Sequence, residues 1–292
     1  MQGSLHRLAR VLASPFLSAR NALINGLVRT PAGLAAVLDL LKERDCQIIV
    51  NNGNHKVRCF PGDSIGRNLF IKGEWQRDLL QHSIELLPGP VLQDDAIFVD
   101  VGANIGTQSI YAHQSGRFKD IVCIEAEPEN FKVLKFNLVE NGIADRYAFN
   151  MGAGNEPAKL RLYRNEKSSG KHSFQKASGD FVEVEVDSVE HILLSAELSL
   201  DRVGLVWIDV EGFELQVLKG MSHLLERRCP IVMEFTPRFY GRDGVEEMIS
   251  LISRYYDRYA TFDDDARTSP IRDLRNITEQ TDILLGFDQP GS

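Results

Sequence analysis

The stretch "AIFVDVGANIGTQSIYA", residues 96–112, joins a short apolar run to one carboxylate and two glycines. The apolar residues lead to Asp100, and Gly102 and Gly106 follow at close spacing. Strands buried in a parallel sheet have this apolar character, and open α/β sheets bind ligands beyond the carboxyl ends of their strands. The stretch therefore predicts a buried strand that delivers Asp100 and a glycine-containing turn to a ligand site.

Short apolar runs of the same kind recur after residue 90 and alternate with helical patterns. The segment "PENFKVLKFNLVENG", residues 128–142, is typical of a helix, with proline in its first turn and Asn-Gly at its end. This alternation predicts an α/β fold with a doubly wound, mostly parallel sheet and helices on both faces. The predicted strands are 96–100, 120–125, 146–151, 203–209, 230–235 and 282–287.

The chain divides by pattern near Pro88-Gly89-Pro90. Residues 1–90 predict a helical arm, a β-hairpin around the Asn-Gly of residues 52–53, and a helix over 73–87. Residues 91–292 predict a ligand-binding domain. A polar insertion at about 155–190 interrupts that domain with two alternating strands and a Ser/Gly/Lys-rich loop, which favours a lid or binding loop.

Composition restricts the partners of the chain. The 292 residues include 33 basic and 41 acidic side chains, for a net charge of −8, which argues against a nucleic-acid partner. The four cysteines are scattered without metal-site spacing and indicate free thiols in a reducing compartment. No apolar run is long enough for a membrane-spanning helix. These features predict a cytoplasmic protein.

The first 38 residues contain four arginines and no acid, with apolar residues between them. One interpretation is a basic amphipathic helix that contacts an anionic membrane peripherally. The other is a helical arm that packs on the domain or on a second subunit of a homodimer.

Four of the predicted strands end in an acid, and these acids are Asp100, Glu125, Asp209 and Glu234. Parallel strands bring their carboxyl ends to one edge of the sheet. Close carboxylates repel one another, so their convergence favours a bound cation or a group of hydroxyls. Helix capping explains one or two such acids and remains an alternative for each.

The glycine turn limits the ligand further. Asn104 stands where a dinucleotide-binding turn has its middle glycine, and a side chain there hinders the approach of a pyrophosphate. Glu125, at the end of the second strand, stands where an acid binds ribose hydroxyls. The pattern predicts a cationic, phosphate-free ligand that carries a ribose, and S-adenosylmethionine has those properties.

Several motifs of the chain resemble those of FkbM-type methyltransferases. They are "FVDVGANIGTQSIYA" (98–112), "IEAEPENFKVLKFNLVENG" (124–142), "GKHSF" (170–174), "WIDVEGFELQVLKGMSHLL" (207–225), "IVMEF" (231–235) and "DILLGF" (282–287). The resemblance covers roughly residues 65–287. It implies a class I, Rossmann-like methyltransferase fold that uses S-adenosylmethionine to methylate an oxygen of a sugar, glycan or secondary metabolite.

The same resemblance implies a set of cofactor-binding residues. Asp100, Gly102, Asn104 and Gly106 would form the methionine side of the pocket, Glu125 would bind the ribose, and the turn at Asn150-Met151 would lie beside adenine. The segment "IEAEP" also contains Glu127, which competes with Glu125 for the ribose. Glu125 is preferred because it directly follows the apolar run.

A sugar hydroxyl needs a base or a metal to remove its proton before it attacks a methyl group. The predicted catalytic residues are Asp209, Glu211 and His172, with capping and a solvated loop position as the alternatives for Asp209 and His172. Asp209 and Glu234 are candidate ligands for Mg²⁺. Glu234, Ser173 and Trp75 are the predicted contacts of a small-molecule or glycan acceptor, and Trp75 has core packing as its alternative.

Two other functions compete with methyl transfer. A nicotinamide-dependent oxidoreductase uses a related fold, although the missing glycine and the four acids disfavour a pyrophosphate. A non-catalytic, membrane-associated subunit with the same fold is the other alternative.

Overall fold

The structure is a computed structural model that describes residues 30–41, 46–87, 89, 93–165, 172–175, 179–262 and 268–287. Most of the basic segment 1–38 lies outside the described residues. Its membrane and dimer interpretations therefore stay predictions.

An eight-stranded sheet forms the centre of the protein. Its strands are β3 Ile97–Val101, β4 Asp120–Ile124, β5 Ala148–Phe149, β9 Val203–Ile208, β10 Ile231–Phe235, β11 Arg258–Thr261, β12 Thr268–Pro270 and β13 Thr281–Leu285. Their order across the sheet is β12-β11-β13-β10-β9-β3-β4-β5. The strands from β5 to β10 in this order are parallel, and β13 is antiparallel to both β10 and β11. This is the predicted doubly wound, mostly parallel sheet.

Helices cover both faces of the sheet. Along β3, Ile97 and Val99 lie in one buried cluster, while Phe98 lies in a second cluster on the opposite face. This alternation explains why the strand is apolar at every position. The helices are α1 Pro31–Leu41, α2 Ser64–Lys72, α3 Arg77–Glu85, α4 Thr107–Gln114, α5 Pro128–Glu140, α6 Val189–Ser195, α7 Glu214–Lys219, α8 Ser222–Glu226 and α9 Gly241–Ile252. Among the residues described, no helix has both the length and the apolar character to cross a membrane.

One predicted strand, 146–151, is present only in part, as the two-residue strand β5 Ala148–Phe149. A 3₁₀ turn occupies Asp145–Tyr147, and only Ala148–Phe149 pairs with β4. The side chain of Asn150 donates hydrogen bonds to the carbonyl oxygens of Glu125 and Ala126, which turns the chain away from the sheet. The other predicted strands are present with ends shifted by one or two residues, whereas β11 and β12 were not predicted.

Residues 46–87 pack on one face of the sheet. The predicted hairpin is present as β1 Ile48–Asn51 and β2 Lys56–Cys59. The backbone N–H of Arg58 donates to Oδ1 of Asn137 on α5 at 2.7 Å. The buried cluster that contains Phe98 also contains Leu69 of α2 and Leu80 of α3. The helix predicted over 73–87 is shorter, and α2 was not predicted. The division of the chain near residue 90 stays a prediction.

The polar insertion contains the two strands predicted for it, β7 Ala158–Tyr163 and β8 Phe181–Asp187, which pair antiparallel. The short strand β6 Gly152–Ala153 adds to β8 and completes a three-stranded sheet. In the loop between β7 and β8, residues 172–175 lie next to the carboxyl edge of the central sheet. There, the hydroxyl of Ser173 donates to the carbonyl oxygen of Glu211, which follows β9.

Candidate functional site

The two glycines of the opening stretch are favoured by a left-handed backbone conformation and by close packing, against backbone at Gly102 and against the end of a side chain at Gly106. Gly102 has φ +81°, and a Cβ atom there would lie 1.9 Å from the carbonyl oxygen of Asp209. Gly106 has φ +87°, and its Cβ would lie 2.6 Å from Cδ1 of Leu134 on α5. Any other side chain would force these neighbours to move. The missing side chains thus let the turn after β3 fit between the turn after β9 and helix α5.

Glu125 and the turn after β3 are hydrogen-bonded directly. The backbone N–H of Asn104, a residue with φ +50°, donates to Oε2 of Glu125 at 2.7 Å. The N–H of Glu127 donates to Oε1 at 2.8 Å. Burial raises the pKa of Glu125 to about 7, against these two hydrogen bonds, which lower it. Both carboxylate oxygens retain lone pairs for further donors such as hydroxyls.

Glu127 has a different environment from Glu125. It is the N-cap residue of α5, where its Oε2 accepts from the N–H of Asn130 at 2.8 Å. Its Oε1 accepts from the guanidinium of Arg164 at 2.9 Å. Both carboxylate oxygens of Glu127 are thus engaged, one in capping α5 and the other in the ion pair with Arg164. Glu125 is therefore the better candidate for binding the ribose.

Asp100 lies beneath the glycine turn and is 1% exposed. Its Oδ2 accepts a hydrogen bond from the hydroxyl of Ser109 at 2.5 Å, and Ser109 Oγ also lies 3.0 Å from Sγ of Cys123. Burial raises the pKa of Asp100 to about 7. Asp100 therefore binds the first turns of α4 from inside the protein, and it is not among the described residues that line the groove described below.

A groove at the carboxyl edge of the sheet brings most of the predicted residues together. It is bounded on one side by the turn after β3 and the end of β4, and on the other by the turn after β9 and the segment 172–174. The predicted residues that line it are Gly102, Asn104, Glu125, Met151, His172, Asp209 and Glu211. Asp100, Gly106, Ser173, Glu234 and Trp75 are not among its described lining residues.

Asp209 has an unsatisfied carboxylate oxygen at this groove. Among the described residues, five buried side-chain atoms have no hydrogen-bond partner, and two of them, Oδ1 of Asp209 and Oδ1 of Asn104, belong to residues that line this groove. Burial, with the nearby carboxylates of Glu234 and Glu211, raises the pKa of Asp209 well above its usual range. Buried polar atoms normally have partners, so the two orphaned oxygens indicate that a donor-bearing ligand belongs here.

Glu214 is a site residue that sequence reasoning missed. It is 1% exposed at the start of α7, and its carboxylate accepts hydrogen bonds from the backbone N–H groups of Val210 and Gly212. The hydroxyl of Tyr240 donates to the same carboxylate. Burial raises the pKa of Glu214 to about 8. Its place in the motif D-V-E-G-x-E was visible in the sequence, but its partner Tyr240 was not.

Glu234 lies on the same edge of the sheet, at the end of β10. One carboxylate oxygen from each of Asp209, Glu211 and Glu234 lies within 4.8 Å of the other two. Oε1 of Glu234 accepts from the hydroxyl of Thr236 at 2.8 Å, and the side-chain amide of Gln280 donates to Oε2. Asp282 on β13 pairs with Glu234 across the sheet, and burial raises its pKa to about 7. The antiparallel strand β13 thus adds Asp282 to this edge of the sheet. The sequence pattern of apolar runs that end in an acid did not predict this residue.

His172 lies over the groove in a defined tautomer. Its Nδ1 accepts a hydrogen bond from the backbone N–H of Asn165 at 2.9 Å. A ring nitrogen can accept only when it carries no proton, so Nε2 carries the proton of the neutral ring. His172 is therefore set to donate a hydrogen bond from Nε2. Next to it, Phe174 packs on Phe213, with ring centroids 4.9 Å apart.

Trp75 packs in the hydrophobic cluster beneath α3 and α4, and its backbone N–H donates to the hydroxyl of Tyr111 at 3.1 Å. This environment agrees with core packing, which was the alternative interpretation of Trp75 from the sequence. Its predicted contact with an acceptor stays a prediction.

The sheet order, with an antiparallel strand between β10 and β11, and the groove at the carboxyl edge define a class I methyltransferase fold. Residues 100–259, more than half of the chain, match the family model of the methyltransferase FkbM domain. The chain belongs to this family of methyltransferases.

Three curated relatives illustrate the family. Methyltransferase 1 of Beauveria bassiana is 29% identical over 149 residues, covering 44% of this chain and 59% of that protein. The 31-O-demethyl-FK506 methyltransferase FkbM of Streptomyces tacrolimicus is 26% identical over 207 residues, covering 60% of this chain and 75% of that protein. The hexuronic acid methyltransferase AglP of Haloferax volcanii is 29% identical over 166 residues, covering 53% and 61%. The chain thus spans less than two thirds of the Beauveria and Haloferax proteins.

Proposed function

We propose that this protein transfers the methyl group of S-adenosylmethionine to a hydroxyl oxygen of a sugar, glycan or secondary metabolite. The groove in which Asn104, Glu125 and Asp209 meet is the main support. These residues come from the turns after three neighbouring parallel strands, where open α/β sheets bind nucleosides.

The residues of the groove fit S-adenosylmethionine. Oδ1 of Asn104 and Oδ1 of Asp209 are buried acceptors without partners in the described part of the chain, and an ammonium or hydroxyl donor would satisfy them. The described lining residues include three acids and no lysine or arginine, which suits a cation and disfavours a pyrophosphate. Glu125, Met151 and Gly102 would hold the nucleoside. When bound, the cofactor supplies a methyl group that its sulfonium has already activated.

The proposed acceptor is a hydroxyl because the name of one relative specifies an O-demethyl compound as its substrate. The hexuronic acid named for another relative also offers oxygen acceptors, both hydroxyls and a carboxylate. A hydroxyl must lose its proton as it attacks, so a base is needed. Asp209 is the best candidate, because its unpartnered oxygen borders the groove and its raised pKa suits proton transfer. Nδ1 of His172 already accepts from the backbone, so His172 suits acceptor orientation better. Glu211 is the alternative base.

A magnesium ion is a further part of the proposal. Asp209, Glu211 and Glu234 offer oxygens within 4.8 Å of one another, and hard divalent cations favour such ligands. Mg²⁺ there would lower the pKa of a bound hydroxyl and supplement or replace the base.

Peripheral membrane contact through residues 1–38, a homodimer and a location inside the cell are proposed on sequence alone. Hydride transfer with a nicotinamide cofactor is disfavoured by the family match and by the acidic groove.

Calorimetric titration of S-adenosylhomocysteine and, separately, of NAD into the protein tests the cofactor. Binding of the nucleoside alone is expected, and binding of NAD alone or of neither ligand would overturn the proposal. A screen with methyl-labelled S-adenosylmethionine against hydroxyl acceptors, including hexuronic acids and matched amines, then tests the reaction. Label is expected in an ether that resists alkaline hydrolysis. Label in an ester that alkali hydrolyses would assign the acceptor to a carboxylate, and label in the amines alone would assign it to nitrogen, and either result would overturn the hydroxyl acceptor.

A further inference from the structure

The turn after β9 carries two of the three acids that line the groove, and its backbone is strained. Glu211 has φ +49° and Gly212 has φ +97°, so two consecutive residues adopt the left-handed conformation. This conformation is unfavourable for a residue with a side chain, such as Glu211. Such a turn persists only where its surroundings fix it.

Glu214 fixes this turn from inside the protein. Its Oε1 accepts from the N–H of Val210 at 3.2 Å, and its Oε2 accepts from the N–H of Gly212 at 3.1 Å. Val210 and Gly212 precede α7, whereas Glu214 is the first residue of that helix. The Glu214 carboxylate therefore connects the helix to the turn that precedes it. From outside, the hydroxyl of Ser173 donates to the carbonyl oxygen of Glu211 at 2.9 Å.

Tyr240 connects this arrangement to the next strand. It lies just after the 3₁₀ turn Pro237–Phe239, which follows β10, and its hydroxyl donates to Oε2 of Glu214. The ring of Phe239 lies against Gly212, where an added Cβ would approach it to 2.9 Å. The turns after β9 and β10 are therefore fastened to each other through one buried carboxylate.

We propose that Glu214, oriented by Tyr240, is a positioning residue that sets the Asp209 and Glu211 carboxylates for the positively charged sulfonium of S-adenosylmethionine. This inference rests on the proposed function. Glu214 is buried and does not line the groove. It would nevertheless control how strongly the site prefers the charged cofactor over its neutral thioether product. Coulomb attraction depends on distance, so displacement of the turn weakens binding of the sulfonium more than binding of the thioether.

The test compares the dissociation constants of S-adenosylmethionine and S-adenosylhomocysteine by calorimetry, without an acceptor. In Glu214→Ala, the preference for the charged ligand over the neutral one is expected to fall about fivefold or more, with the affinity for S-adenosylhomocysteine within about twofold of the wild type. Glu214→Gln is expected to retain the wild-type preference, because its carbonyl oxygen accepts from Val210 and Gly212 while its amide donates to Tyr240. Tyr240→Phe should give a smaller shift in the direction of Glu214→Ala.

Glu190→Ala is the matched control. Glu190 also accepts from a backbone N–H, that of Leu224 at 2.9 Å, but it is not among the described residues that line the groove. It is expected to keep the wild-type preference.

Each outcome separates this inference from the proposed function. A wild-type protein that binds neither ligand would overturn the proposed function itself. An unchanged preference in Glu214→Ala, or equal loss of both ligands, would show that Glu214 only stabilises the fold. If Glu214→Gln fails as completely as Glu214→Ala, the charge of Glu214 and not its positioning is responsible. If Glu214→Ala does not fold, an unchanged preference in Tyr240→Phe would still overturn the inference.

Discussion

The backbone N–H of Asn104 lies 2.7 Å from Oε2 of Glu125, so the turn after β3 and the acid after β4 form one hydrogen-bonded unit. The motifs at 98–112 and 124–142 are thus joined at a single carboxylate. If the proposed function is right, a change at Glu125 removes a ligand contact as well as the anchor of the turn, which makes this residue the sharpest test of the groove.

Glu125→Ala is expected to weaken S-adenosylhomocysteine binding about 10- to 150-fold, the equivalent of about 1.5–3 kcal/mol for hydrogen bonds to a charged group. Calorimetry measures the loss. Glu127→Ala should leave the affinity within about threefold and lower the free energy of unfolding by about 1 kcal/mol, because Glu127 caps α5. A larger loss of affinity in Glu127→Ala than in Glu125→Ala would instead assign ribose binding to Glu127.

Gly102→Ala is expected to destabilise the protein by about 2–5 kcal/mol, since it combines left-handed strain with overlap on the Asp209 carbonyl oxygen. Denaturant unfolding measures this loss. Gly142→Ala is the matched control, because Gly142 has φ +76° and no atom within 4 Å of an added Cβ. It should cost only about 1–2 kcal/mol. Equal losses in the two variants would show that the overlap contributes nothing.

Stability should depend on pH through Asp100. Its pKa is about 7 in the folded protein and about 4 when unfolded, so the folded state binds the proton more tightly. The free energy of unfolding contributed by Asp100 is therefore highest below pH ~4 and falls as the pH rises through ~7. Asp100→Asn keeps an acceptor for Ser109 and should flatten the decline, whereas Asp94→Asn, at an exposed position, should not. Denaturant unfolding at several pH values measures both slopes, and parallel slopes for Asp100→Asn and the wild type would contradict the prediction.

Mg²⁺ is expected to bind the carboxylates of Asp209, Glu211 and Glu234. At about 100 times its dissociation constant it should stabilise the protein by about 2.7 kcal/mol, measured as an upward shift of the thermal midpoint. Glu234→Gln should abolish most of this shift. Glu185→Gln, which changes an exposed acid on β8, should retain it. No shift in the wild type at millimolar Mg²⁺ would remove the metal from the mechanism.

Asp209→Asn is expected to lower kcat at least about 100-fold if Asp209 is the base, because general bases contribute about 10²–10⁴-fold. The affinity for S-adenosylhomocysteine should fall much less than kcat, because asparagine keeps an oxygen acceptor at the groove. The assay uses the hydroxyl acceptor identified by the labelled-methyl screen. His172→Asn should mainly raise KM for that acceptor. A larger loss of kcat in His172→Asn than in Asp209→Asn would exchange their roles.

The central sheet was largely predictable, because buried parallel strands produce continuous apolar runs. Phe98 and Val99 face opposite cores, so both must be apolar, and the same holds along β9 and β10. The convergence of Glu125 and Asp209 followed from the strand direction alone. Only Ala148–Phe149 of the predicted strand 146–151 pairs in the sheet. The side chain of the next residue, Asn150, instead donates to carbonyl oxygens that come 24 and 25 residues earlier in the sequence.

Contacts between distant segments explain the rest of what sequence could not provide. Glu214 looked like one more acid of a helix, and only the fold brings Tyr240 to it across 26 positions of sequence. Asp282 precedes an apolar run instead of ending one. It reaches the acidic edge because β13 runs opposite to its neighbours. Residue patterns predict where strands end, but they do not show which side chains meet there.

The position of β13 has a consequence for synthesis of the chain. Thr281–Leu285 lies between β10 and β11, although both of these strands precede it in the chain. While a ribosome is still making residues before 281, β10 and β11 have no partner at that position and expose open hydrogen-bonding edges. The sheet, and with it the acidic edge around Glu234, can close only after this segment has emerged. A nascent chain stalled before residue 281 is therefore expected to engage chaperones and to acquire native protease resistance only when β13 is supplied.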